Sequence, residues 1–119
     1  MQLSIASLKE MGAFTGAPVE KEITWKQGDE SLTATVFVRR LSYISTVSDL
    51  KSAHDKTDAI AGRIAACICD ERGEPVFTVK DITGEADPGR GPLDGSLTMA
   101  LLAVIGEVTQ LGKASHSAS

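Results

Sequence analysis

The chain has 119 residues, a net charge of −4, 42% apolar residues and 24% charged ones. That is chain enough for one domain with a buried core, and a composition unlike that of a disordered polymer. Acidic and basic residues are mixed, and the longest basic run is Arg39-Arg40, so a phosphate-reading nucleic-acid surface is disfavoured; no apolar run is long enough to span a membrane.

The first ten residues, MQLSIASLKE, lack the basic start and apolar block of a secretion signal, so a cytoplasmic location is expected. Gln2–Phe14 reads as a short helix through Leu3, Leu8, Met11 and Phe14, ended by Gly12 or Gly16. Pro18 then opens an extended stretch. Val19, Lys21, Ile23 and Trp25 alternate with Glu20, Glu22, Thr24 and Lys26, the pattern of a strand with one wet face. Gln27-Gly28-Asp29-Glu30 supplies turn residues. Leu32, Ala34, Val36 and Val38 alternate with Thr33, Thr35, Phe37 and Arg39 in a second strand, which predicts an antiparallel hairpin. A lone hairpin is marginal in water, so its apolar face requires helices to cover it.

Ser42–Lys51 is either a short helix or an irregular link. Asp55–Asp70 reads as a firmer helix, capped by Asp55 or Thr57, with Ile60, Ile64, Cys67 and Ile68 on one face and Gly73 at its stop. Pro75–Thr78 is extended, and Thr78 can cap one further turn through Asp81. Residues 83–92 form a loop by their Gly and Pro content. Ser96 is expected to cap the last helix, which runs to Gly112 with Leu97, Leu101, Val104, Ile105, Val108 and Leu111 as its main stripe. The architecture expected is α+β: a hairpin or small antiparallel sheet packed against three to four helices. Residues 1–112 form the single domain, and 113–119 a flexible tail.

Met99, Leu102 and Gly106 fall on the opposite side of the last helix from its main stripe. A helix apolar on two sides is either enclosed within the core or offers a face to a partner, and both readings stay open. These three are the candidate partner-binding residues.

Catalytic chemistry finds little support. His116 lies in the tail, and His54, with Ser52 and Asp55 near it in sequence, reads as an exposed residue before a helix cap. The carboxylate pairs Asp55/Asp58 and Asp70/Glu71 sit at expected helix ends, and Asp55 and Asp58 fit there as first-turn acids that interact favourably with the helix dipole. Pro88-Gly89-Arg90-Gly91-Pro92 has glycines and an Arg but not the phosphate-loop spacing, and reads as a flexible surface loop. Cys67 and Cys69, one residue apart in an expected helix, point to different faces. They read as reduced, mostly buried small hydrophobes, with no cationic neighbour to activate Cys67 and no ligand set for zinc. No catalytic residue, metal or cofactor is assigned.

Several strings resemble one family. They are Ile23-Thr24-Trp25, Val36-Phe37-Val38-Arg39-Arg40-Leu41, the run Cys-Ile-Cys-Asp-Glu-Arg-Gly-Glu-Pro-Val-Phe-Thr at 67–78, Asp81-Ile82-Thr83-Gly84, and the last helix from Leu97 through Glu107-Val108 to Leu111. In order and type they resemble the tail assembly chaperones of long-tailed, siphovirus-type bacteriophages, over roughly residues 19–112. The resemblance implies a non-enzymatic α/β chaperone, of phage or prophage origin, that binds the tape measure protein and promotes tail tube assembly. It further implies a protein of the host cytoplasm that is absent from the mature virion. Many such proteins also exist in a longer, frameshifted form that contacts tail tube subunits; this chain matches the short form. The partner expected on the face of Met99, Leu102 and Gly106 is the tape measure protein or another copy of the chaperone, the second being self-association. The competing expectation is a structural tail or capsid-associated virion protein.

Overall fold

The computed structural model describes residues 2–14, 16–41, 43, 46, 47, 50 and 58–117, with side chains described as far as Thr109. In chain order the elements are α1 (Ile5–Glu10), β1 (Val19–Gln27), β2 (Glu30–Val38), α2 (Ala59–Cys67), β3 (Ile68–Cys69), α3 (Val79–Thr83) and α4 (Gly95–Ser117). The sheet has the order β1-β2-β3 and is antiparallel throughout, so the α+β expectation holds.

The hairpin forms as the alternation requires. β1 and β2 pair from Val19↔Val38 to Gln27↔Glu30, and Gly28 takes the first turn position at φ 65°, a conformation open to a residue without Cβ. Ile23 and Val38 are buried, with Trp25 and Val36 packed beside them, while Glu20, Glu22, Thr24 and Lys26 stay wet. The Thr24 and Thr33 hydroxyls lie 3.1 Å apart across the wet face.

α1 is shorter than the expected 2–14 span. Ser4 and Ser7 form a capping box at its start, and Gly12 at φ 75° follows its end. None of its residues is buried, so its apolar residues do not join the core. The expected helix at 42–51 and the caps Asp55 and Thr57 fall mainly or wholly outside the described residues. The cap observed for α2 is Asp58, whose Oδ1 accepts from Ile60 N at 2.9 Å and Ala61 N at 3.1 Å.

α2 does not reach Asp70. It stops at Cys67, and Ile68-Cys69 turns extended to pair with Val38 and Phe37. Phe37 and Arg39 turn their backbone groups to the open side of β2, where Phe37 pairs with Cys69 and Arg39 N donates to Cys67 O, so strand pairing outweighs continued helix for β-branched Ile68. Gly73 therefore closes a turn and not a helix: its φ is 86°, its N–H donates to Asp70 O, and Asp70 Oδ1 accepts from Arg72 N and Glu74 N. Arg39, beyond the end of β2, donates from its guanidinium to Gly73 O and fixes this turn to the sheet.

Thr78 caps α3 as expected, in a reciprocal box with Asp81. The cap of α4 is Asp94 and not Ser96: its Oδ2 accepts from Leu97 N at 3.0 Å, and its backbone O from Thr98 N. Two capping residues stood in series after Pro92, and the earlier one serves, because Gly95 and Ser96 can both enter the first turn. The helix also passes Gly112 and runs to Ser117. A single Gly costs a helix about 1 kcal/mol and needs a following breaker to end it, which Lys113 and Ala114 are not.

α4 lies over β1 and carries Leu101, Val104, Ile105 and Val108 into the core, against Ile23 and Val38 of the sheet and Ala61, Ile64 and Cys67 of α2. Leu97 packs beside them; the side chain of Leu111 lies outside the described residues.

Candidate protein-docking face

With its main stripe in the core, α4 presents its far side to solvent. Met99 is 66% exposed, and a Cβ built on Gly106 would meet nothing within 4 Å. Ala103, one turn beyond Met99, is exposed as well. Leu102 differs from its two companions. It is half-buried, packs against the core, and forms one wall of a shallow apolar groove of about 280 Å³ between α4 and α2. The other wall is Ala59, Ile60 and the stem of Arg63. Thus the structure brings Met99, Leu102 and Gly106 onto one open side of α4, with Leu102 at its margin.

Ile60 was expected on the buried face of α2, and this is corrected: it is 53% exposed. The inward residues are Ala61, Ile64 and Cys67. Ile60 sits in the first turn, on the wall of the groove that Leu102 lines from α4. Sequence reasoning therefore missed a contributor to the open face, and spacing could not reveal it, because Ile60 and Ile64 share the i, i+4 relation whether or not a neighbour covers both. Leu3, Ile5, Met11 and Phe14 form a second exposed apolar group, around α1. Arg40 ties that segment to the body by donating from Nη2 to Phe14 O at 3.0 Å.

The residues weighed for chemistry are occupied elsewhere or lie outside the described set. His54, Ser52 and Asp55 fall outside the described residues, as does the side chain of His116. Asp58 and Asp70 cap backbone N–H groups. Cys67 and Cys69 form no disulfide, and both are buried. Burial pushes the Cys69 thiol above its ordinary range, against the opposing pull of Arg39. Burial of this kind suits a thiol that packs as a small hydrophobe.

A second open cleft, about 380 Å³, lies between the hairpin tip at Gln27, Phe77, Asp81, Arg90 and the first turn of α4. Its charged groups already serve the fold. Asp81 Oδ2 accepts from Thr78 N at 2.8 Å, and its Oδ1 from Arg90 Nη2 at 3.0 Å. The loop at 83–92 forms as expected, but its Pro88–Pro92 part, read as a flexible surface loop, is folded back and tied. Gly89 N donates to Asp87 Oδ1, Arg90 N and Gly91 N donate to Asp87 O, and Leu93 N donates to Ile82 O. The Thr78 N–H first, and then Arg90, hold the Asp81 carboxyl below the usual aspartate range. A carboxylate with a lowered folded-state pKa stabilises above its unfolded value and stops doing so as pH falls through the folded one. Asp81→Asn is therefore expected to lower stability at neutral pH. The gap from wild type should close between the ordinary aspartate range and the lowered value, as followed by urea unfolding across an acid series.

Against known proteins, the model of the phage tail assembly chaperone family, TAC, matches residues 6–109. That span takes in α1 and both strands of the hairpin and runs almost through the packed part of α4. The chain belongs to the phage tail assembly chaperone family. No curated protein and no solved structure matches it. The family match begins earlier than the sequence resemblance at residue 19, so the chaperone domain includes the N-terminal helix that the core does not hold. For a chaperone, whose partners in tail assembly are proteins, an open apolar side on the longest helix is the relevant kind of site.

Proposed function

We propose that this chaperone acts without chemistry, by receiving an amphipathic helix of the tape measure protein on the open side of α4, and that it thereby promotes tail tube assembly. The observation that carries the reading is the open side of α4 that bears Met99 and Gly106, bordered by the apolar groove that Leu102 forms with Ile60. A groove between two helices is the shape into which a third helix lays its apolar face, and an exposed Met adapts to such a partner. Gly106 allows close backbone approach. On this reading the protein works in the host cytoplasm and is left out of the finished virion, and tail tube subunits would be reached through a longer, frameshifted form.

The double variant Met99→Glu, Leu102→Glu should abolish co-purification with the tape measure protein encoded beside it, with at most a small loss of thermal stability arising from half-buried Leu102. Met99→Glu alone, at a position outside the core, should weaken capture with the unfolding profile unchanged. Undiminished capture by both variants removes the site. Mass spectrometry of purified virions tests the alternative of a structural tail or capsid-associated component, which would be present in stoichiometric amount.

A further inference from the structure

We propose that β1 pairs antiparallel with β1 of a second copy of this chain, centred on Ile23, to make one continuous six-stranded sheet.

Both edges of the three-stranded sheet can be compared. β3 is only two residues long, and its outer side is covered by the bridge Cys69↔Pro75 and by Val76 N donating to Ile68 O. β1 is nine residues long, and among the described residues no group bonds to its outer backbone. Hydrogen-bonded pairs alternate from the turn, where Gln27 and Glu30 flank the two-residue loop. Odd-numbered residues of β1 thus bond to β2, and Glu20, Glu22, Thr24 and Lys26 aim their N–H and C=O groups at the free edge. Such a row is a template for another strand.

Alternating charges on an edge usually discourage pairing. Here their signs are arranged about the strand's midpoint. In the register centred on Ile23 all nine residues overlap, and the four outward-facing residues pair among themselves. Glu20 stands opposite Lys26 of the second copy and Glu22 opposite Thr24, each twice by symmetry. A shift that centres Glu22 sets two carboxylates face to face. A shift that centres Thr24 gives up the ends of the overlap. Opposite charges directly across an antiparallel pair favour it, and like charges oppose it. The helix above the edge leaves room: Glu107 of α4 pairs with Lys21 of β1, and on that same flank of the helix, one, two and three turns earlier, stand Ala103, Ala100 and Ser96. The surface is distinct from Met99, Leu102 and Gly106, so its failure leaves the tape measure reading untouched.

Sedimentation equilibrium on the full chain should give twice the 12.5 kDa protomer mass at high micromolar concentration. Glu20→Lys and Lys26→Glu should each weaken association about ten-fold, because each places like charges at two symmetric positions. The double charge swap should restore wild-type association, which a merely structural role would not do. Thr24→Pro removes an outward N–H that the hairpin does not use, and should give a monomer with unchanged far-UV dichroism. A monomeric wild type, single charge variants that associate as wild type does, or a double swap no better than the singles would overturn the proposal.

Discussion

Ile64→Ala should be among the most damaging single substitutions in this chain, lowering the unfolding free energy by about 2–5 kcal/mol. Ile64 is fully buried on α2, and α2 touches α3, α4 and β3 together. Removing three carbons there leaves a cavity that three elements would have to collapse around. They cannot follow freely, because Asp58 fixes one end of α2 and the β3 ladder fixes the other. For a domain of this size the loss corresponds to a fall of about 10 °C or more in Tm. Ile64→Val should cost only about 0.5–1.5 kcal/mol. Met99→Ala, on the open side of α4, should stay within about 0.5 kcal/mol of wild type. Urea unfolding at constant m-value separates the three. If Ile64→Ala were as mild as Met99→Ala, α2 would not be docked as described.

The hairpin was legible because one of its faces is wet. Glu20, Glu22, Thr24 and Lys26 print the two-residue period directly into the chain, and Ile23 and Val38 are buried where that period puts them. β3 was not legible. Two residues carry no period, and Ile68-Cys69 continues the apolar spacing of α2; only the presence of β2 beside it decides that the chain turns extended. The caps show a related limit. Asp55, Thr57 and Asp58 each have the short oxygen-bearing side chain that a cap needs, as do Asp94 and Ser96, and local chemistry does not rank them. The candidate face was half legible. Helical angle separates Met99 and Gly106 from the buried stripe of α4, but whether a neighbour covers that side depends on where α2 ends up. Ile60 shows the same dependence from the opposite side. Likewise, nothing in the apolar spacing of α1 foretells that none of its residues is buried.

Gly84→Ala should destabilise the protein by about 2–3 kcal/mol, because two separate costs meet at one position. Gly84 ends α3 at φ 92°, its N–H donating to Lys80 O, in a conformation that an L side chain rarely adopts. A Cβ there would also lie 2.7 Å from Pro92 N and 2.9 Å from Gly91 C, backbone atoms that cannot rotate aside. Moving them means moving the loop, which Leu93 N anchors to Ile82 O and which Arg90 ties to Asp81. It also disturbs Asp94, the cap of α4, two residues on. Gly91→Ala separates the two costs: at φ 76° it has the same backbone strain, but a Cβ there meets nothing within 4 Å. That variant should lose only about 1 kcal/mol. Equal losses for Gly84→Ala and Gly91→Ala in parallel urea titrations would mean that the loop does not press on α3. A larger loss at Gly84 shows that the loop over it is a packed part of the domain, holding the start of α4, and with it the apolar face that α4 presents, in place.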